Sequence, residues 1–243
     1  MSARMPHIAL FDYGAGNLHS LAKALEAAGA RVRIEPDPLR VLAADALVLP
    51  GVGAFGAAAE RLAPAAAEIR RALEDGFPCL GVCLGMQLLF EWSEEGDGRG
   101  LGILPGHVRR LRASRVPHMG WNAVHPASAP PPGGGGGAAD ALPRHPGEGE
   151  GEAGEAVGAG ESRGAGMPDP LLAGLDDLVA YYANSFVAEP ADPGAVIAWT
   201  VYEGHRFPAA VRRGRTWGVQ FHPEKSGAPG LRLIRNFVAE ASR

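Results

Sequence analysis

The chain has 243 residues, with 23 Lys and Arg against 27 Asp and Glu and a formal charge of −4. That length suits one domain with an ample core, and the mild acidity argues against a nucleic-acid binder. Two cysteines, Cys79 and Cys83, are too few for a disulfide framework and lack zinc-site spacing, so no metal is expected and a reduced, cytoplasmic setting is. Met1 to Pro6 shows no apolar signal core, and no uncharged apolar stretch approaches the ~20 residues that cross a bilayer.

In chain order, His7 to Phe11 reads as a strand, and Asn17 as the cap of a helix bearing Leu18, Leu21, Ala22, Leu25 and Ala28, ended by Gly29. Strands follow at Arg31 to Ile34 and Ala46 to Leu49, then one helix over about Gly56 to Asp75 and a strand at Phe77 to Val82. Continuous apolar strands alternating with helices predict a mostly parallel α/β sheet with helices on both faces, whose ligand loops lie at the carboxyl ends of the strands. Gly14-Ala15-Gly16-Asn17 falls at such an end. It lacks the third glycine of a dinucleotide fingerprint, so it reads as a tight turn and no cofactor is expected.

Beyond Trp92 the pattern becomes β-rich and mixed. Short strands are expected at Leu101 to Leu111, His118 to Val124, Leu178 to Phe186, Ala195 to Val201, Ala209 to Val211 and Thr216 to Phe221, with a last helix at about Gly230 to Glu240. One stretch stands apart. Ala127 to Pro168 holds thirteen Gly and six Pro, and no Phe, Tyr, Trp or Ile. It cannot bury enough apolar surface to offset an ordering cost of ~1–2 kcal/mol per residue. It is expected to be a disordered surface insertion in a single domain spanning residues 1–243. Its six acids and two arginines leave the remainder with 21 acids and 21 bases, so the acidity sits in the insert.

The chemistry is concentrated in Gly81-Val82-Cys83-Leu84-Gly85, a G-x-nucleophile-x-G elbow with Cys where Ser is frequent. A short apolar run enters it, and a helical pattern (Leu84, Gln87, Leu88, Phe90, Glu91) leaves it. Such a corner sets the sulfur at a helix start and offers the Leu84 amide to a developing oxyanion. His222 is the best candidate base, and Glu224, two residues on, faces the same way if the strand continues, fixing the imidazole tautomer. Pro223 stiffens that corner. In Pro50-Gly51-Val52-Gly53 the glycines permit the positive φ that turns an amide towards an oxyanion.

These residues resemble the class I (triad) glutamine amidotransferases, and more narrowly the glutaminase subunits of imidazole glycerol phosphate synthases. The runs that carry the resemblance are Asp12 to Asn17, Pro50 to Gly56, Gly81 to Phe90, Ser93-Glu94-Glu95, Pro117 to Asn122 and Phe221 to Ser226. It covers everything outside Ala127 to Pro168. It implies a flavodoxin-like fold and a reaction in which Cys83, His222 and Glu224 release ammonia from glutamine through a thioester. The ammonia would pass to a (β/α)8-barrel cyclase partner that makes imidazole glycerol phosphate and AICAR from PRFAR, a step of histidine biosynthesis. It further implies an oxyanion hole from Val52, Gly53 and Leu84, and glutamine binding by Gly51, Gln87 and Glu95 and by the backbone around Ser185, between Asn184 and Phe186. Met119, Trp121 and Lys225 would lie near the cyclase. Asn184 stands where many members have His, which predicts altered glutamine affinity rather than lost activity. The alternatives are a glutaminase serving another synthase, and a silent glutamine-binding regulator, which the intact Cys83, His222 and Glu224 oppose.

Overall fold

A computed structural model describes residues 4–14, 18–127 and 169–243. The Asn17 cap, and all of the insertion except Ala127, lie outside the described residues. The elements are β1 (His7–Phe11), α1 (His19–Ala27), β2 (Arg31–Glu35), β3 (Ala46–Leu49), α2 (Phe55–Leu62), α3 (Ala66–Glu74), β4 (Cys79–Val82), α4 (Leu84–Gln87), β5 (Trp92–Ser93), β6 (Gly106–Arg110), β7 (His118–Ala123), β8 (His125–Pro126), β9 (Val179–Asn184), β10 (Phe186–Pro190), β11 (Val196–Tyr202), β12 (His205–Arg213), β13 (Thr216–Val219) and α5 (Gly227–Ala241).

The main sheet has the order β2-β1-β3-β4-β13-β12-β11-β8. The pairings from β2 to β13 are parallel, and those from β13 to β8 antiparallel. Alternate residues of β1, β3 and β4 feed two cores. Ile8, Leu10, Val48, Leu80 and Val82 pack with α1 and α5 on one face. Ala9, Phe11, Leu47, Leu49 and Cys79 pack with α2, α3 and α4 on the other. Burial on both sides explains why these strands read as unbroken apolar runs. A small sheet, β10-β6-β5, and a two-stranded ribbon, β7-β9, complete the structure.

Several expected elements are shorter or divided. The long helix over Gly56 to Asp75 is two helices joined by a 3₁₀ turn at Ala63–Ala65, because Pro64 supplies no amide proton for a continuous ladder. The helix after the elbow is a single turn. Only Gly106–Arg110 of the Leu101 to Leu111 run is a strand, and Gly102, at φ +63°, lies in the bend before it. The Leu178 to Phe186 run is split at Ser185, so β9 joins the ribbon and β10 the small sheet. The final helix starts three residues early, at Gly227.

Candidate active site

Three adjacent strands, β3, β4 and β13, end side by side and deliver Gly51, Cys83 and the Gln220–His222 segment to one place. Cys83 follows β4 directly and sits at φ +47°, ψ −104°, a conformation that costs a side-chain-bearing residue energy. Close packing holds it there. A Cβ on Gly85 would lie 2.0 Å from the Leu49 carbonyl oxygen, and one on Gly81 would lie 2.4 Å from that of Gly85. The glycines flanking the elbow thus press α4 onto β3 and β4. The Cys83 amide donates to Val219 O at 2.7 Å, and its carbonyl accepts from Gln87 N at 3.2 Å.

His222 reaches this sulfur from the far side. The strand does not continue through it, as the expected His222–Glu224 alignment required. β13 ends at Val219, and Pro223–Lys225 form a 3₁₀ turn with His222 as its extended cap. The turn, begun by Pro223, swings Glu224 back so that Oε1 lies 2.9 Å from His222 Nδ1, both side chains nearly buried. The other ring nitrogen is left free of Glu224, and Cys83 lies near enough to act on the imidazole. Burial disfavours the imidazolium, but the hydrogen bonds and charges of Cys83 and Glu224 outweigh it and raise the His222 pKa to about 10. Ser226 steadies the corner. Its hydroxyl donates to His222 O at 2.6 Å and accepts from Tyr181 N at 2.9 Å, while the His222 amide donates to Tyr181 O at 2.8 Å.

The other expected residues surround this pair. A Cβ on Gly51 would lie 2.9 Å from both Cys83 Cβ and His222 Cε1, so only glycine leaves the space open. Gly53 has φ +105°, the backbone expected of it, with Val52 partly buried against the core. Leu84 is the first residue of α4, so its amide has no acceptor within that helix. Glu95 Oε2 accepts from Phe55 N at 3.1 Å, so a carboxylate from the segment after β5 caps the start of α2, whose own cap, Ala54, offers no side-chain acceptor.

Gln87 is buried rather than solvated. Its amide nitrogen donates to Phe186 O at 3.1 Å and to Gln220 Oε1 at 3.3 Å. Asn184 Nδ2 donates to the same Phe186 carbonyl at 3.1 Å, leaving its buried Oδ1 without a partner. Ser185 is the corner between β9 and β10, and its carbonyl accepts from Leu111 N at 2.9 Å. Met119 and Trp121 are 64% and 59% exposed, so they are not core residues. Trp121 lies opposite Tyr181 on the ribbon, and Lys225 Nζ sits 5.9 Å from the Tyr181 ring centre.

The structure adds participants that the sequence alone does not single out. Gln220 Nε2 donates to Cys83 Sγ at 3.6 Å, and the sulfur lies 4.0 Å from the Ala183 carbonyl oxygen on β9. A signal for Gln220 is present in the sequence: a polar residue two before His222, between apolar Val219 and Phe221. The two cysteines also separate. Cys79 is fully buried and burial pushes its thiol pKa up, so it is a core residue. Among the described residues no cluster of His, Cys, Asp and Glu suited to a metal ion occurs, and no helix is long and apolar enough to cross a membrane.

The family model for glutamine amidotransferase class-I matches residues 9–241. The chain is 42% identical over 240 residues to imidazole glycerol phosphate synthase subunit HisH of Halobacterium salinarum, covering 95% of this chain and 92% of that one. It is 40% identical to the subunit of the same name from Thermosynechococcus vestitus, covering 96% and 97%. A crystal structure of a glutamine amidotransferase superposes with a TM-score of 0.65 at 18% identity, covering 97% of this chain and 99% of that one. The structure of PurLQS from Thermotoga maritima gives 0.66 at 17%, covering 98% and 99%. These two carry the fold alone. By sequence and by fold, the chain belongs to the class-I glutamine amidotransferase family, in the group of imidazole glycerol phosphate synthase HisH subunits.

Proposed function

We propose that the chain is the glutaminase subunit of an imidazole glycerol phosphate synthase, working in histidine biosynthesis. The observation that carries this reading is the meeting of Cys83, on its strained elbow, with a His222 held by Glu224. The Cys83 sulfur attacks the side-chain amide carbon of glutamine, and the amide oxygen becomes an oxyanion. The amides of Leu84 and of the Val52-Gly53 segment stabilise it. His222, charged through neutral pH, gives its proton to the departing ammonia as the C–N bond breaks, leaving a glutamyl thioester. Water, deprotonated by His222, then attacks that thioester, releasing glutamate, freeing the Cys83 sulfur and leaving His222 protonated as at the start.

Glutamine is held by the Gly51 backbone, by Gln87 and by Glu95, with its α-groups at the corner of Asn184, Ser185 and Phe186. The unpartnered Asn184 Oδ1 is an acceptor where an imidazole would offer a ring, which supports altered affinity with retained activity. The partner is a (β/α)8-barrel cyclase that uses the ammonia to convert PRFAR to imidazole glycerol phosphate and AICAR. Its docking face is the outer side of the ribbon, where Met119 and Trp121 project beside Tyr181 and Lys225. An exposed Trp beside an aromatic neighbour is a typical interface anchor. This face touches the chemistry, because Ala183 O lies against the sulfur and Tyr181 O accepts from the His222 amide. A thiol nucleophile suits a reducing compartment, the cytoplasm.

Glutamate release, assayed for the isolated chain and with a cyclase barrel and its nucleotide substrate, tests this reading. Weak activity alone and strong activity in the complex are expected. Full activity of the isolated chain would mark a stand-alone hydrolase.

A further inference from the structure

Two side chains from one short segment converge on the same sulfur. Val219 and Phe221 pack in the core, while Gln220 and His222, just past the end of β13, both reach the elbow. His222 supplies the imidazole. Gln220 is 0% exposed, and a carboxamide so placed must satisfy both its ends. One end donates from Nε2 to Cys83 Sγ at 3.6 Å, and the other accepts, at Oε1, from Gln87 Nε2 at 3.3 Å. Gln87 Nε2 also donates to Phe186 O at 3.1 Å, the carbonyl to which Asn184 Nδ2 donates. The backbone of Gln220 is fixed as well, its amide donating to Ala209 O on β12 at 2.9 Å.

The polarity of this chain of hydrogen bonds has a direction. The carboxamide of Gln220 turns its donor to the sulfur because its acceptor is engaged by Gln87. A donor aimed at sulfur favours the electron-rich form that attacks. We propose that Gln220 is a positioning residue that holds and polarises the Cys83 sulfur for attack and couples it, through Gln87, to the corner where the α-groups of glutamine are held. This rests on the thioester reading above and adds to it a group outside the Cys83–His222–Glu224 set. Gln220 does not itself exchange a proton or touch the reacting carbon.

The test is alkylation of Cys83 by iodoacetamide as a function of pH, read by peptide mass spectrometry so that Cys79 is scored separately. It is run on the full chain as Gln220→Met, which fills the space without a donor, and Gln220→Glu, which keeps the acceptor that Gln87 uses. In each variant that folds, the rate at pH 7 is expected to fall about tenfold or more, the effect of losing one hydrogen bond to a charged group. The pH midpoint should move upward. The kcat for glutamine should fall by a similar factor, with a smaller change in KM. A role in packing alone would lower the melting temperature and leave the alkylation profile where it was, and that result overturns the proposal. Alkylation needs no glutamine, so the two readings separate. Glutamine turnover surviving in Cys83→Ser would sink the thioester mechanism. An unshifted profile in a folded Gln220 variant, with Cys83→Ser inactive, would sink only the role of Gln220.

Discussion

Around Cys83 the backbone is packed so closely that neither Gly81 nor Gly85 has room for a methyl group, whereas the β7–β9 ribbon leaves Met119 and Trp121 mostly exposed, and a Cβ on Gly120 would meet nothing within 4 Å. The two regions nevertheless meet, because Ala183 O of the ribbon lies 4.0 Å from the Cys83 sulfur. One region is immobilised by atoms that cannot move apart. The other turns apolar side chains to solvent on one face, while its other face is tied to the body of the domain through Tyr181, Asn122 and Ala123. A tightly packed nucleophile beside an exposed apolar face suits an enzyme whose chemistry answers to something outside it, and the contrast can be broken at several points.

The largest expected effect comes from Cys83→Ser, which should lower glutamine hydrolysis by at least about 10³-fold, as removal of a nucleophile does in other enzymes. Steady-state glutamate release checks it, and free ammonia should still support synthesis by the complex. Next is Gly85→Ala. The added methyl meets the Leu49 carbonyl, and stability should fall by about 3 kcal/mol or more, read by urea unfolding. The ribbon should behave in the opposite way. Trp121→Ala is expected to leave unfolding nearly unchanged and to cost about 2 kcal/mol of partner binding, roughly thirtyfold, by calorimetry against the cyclase.

The remaining prediction concerns pH. The pKa of His222 is raised in the folded state from 6.5 to about 10. Its contribution to stability is therefore fully present below about pH 6.5 and is lost as pH rises through about 10. Glu224→Gln should lower that pKa and flatten the decline, observable by imidazole NMR and by melting curves from pH 6 to 10.

The parallel half is legible in the sequence because strands buried on both faces leave unbroken apolar runs, and the elbow is legible because Gly81 and Gly85 are required by packing that no other residue allows. His222 and Glu224 are legible as a pair, but for the wrong geometric reason. The strand stops at Val219, and a 3₁₀ turn through Pro223 brings the carboxylate round. Boundaries fail where local chemistry overrides the pattern: Pro64 dividing one helix, and Ser185 sending two strands to different sheets. Gln220 is easily passed over because a polar residue in a strand reads as solvent-facing until its neighbours are known. The buried partners of Gln87 are hidden for the same reason, since they arrive from elements about 100 and 133 positions away.

The central claim is that the Cys83 sulfur forms a covalent bond to glutamine. Rapid acid quenching of the chain with the proposed cyclase partner and glutamine, followed by peptide mass spectrometry, reads it directly. The account predicts a glutamyl group on the peptide carrying Cys83, absent in Cys83→Ser. Glutamate released at full rate with no such adduct, or with the adduct on another residue, would contradict it.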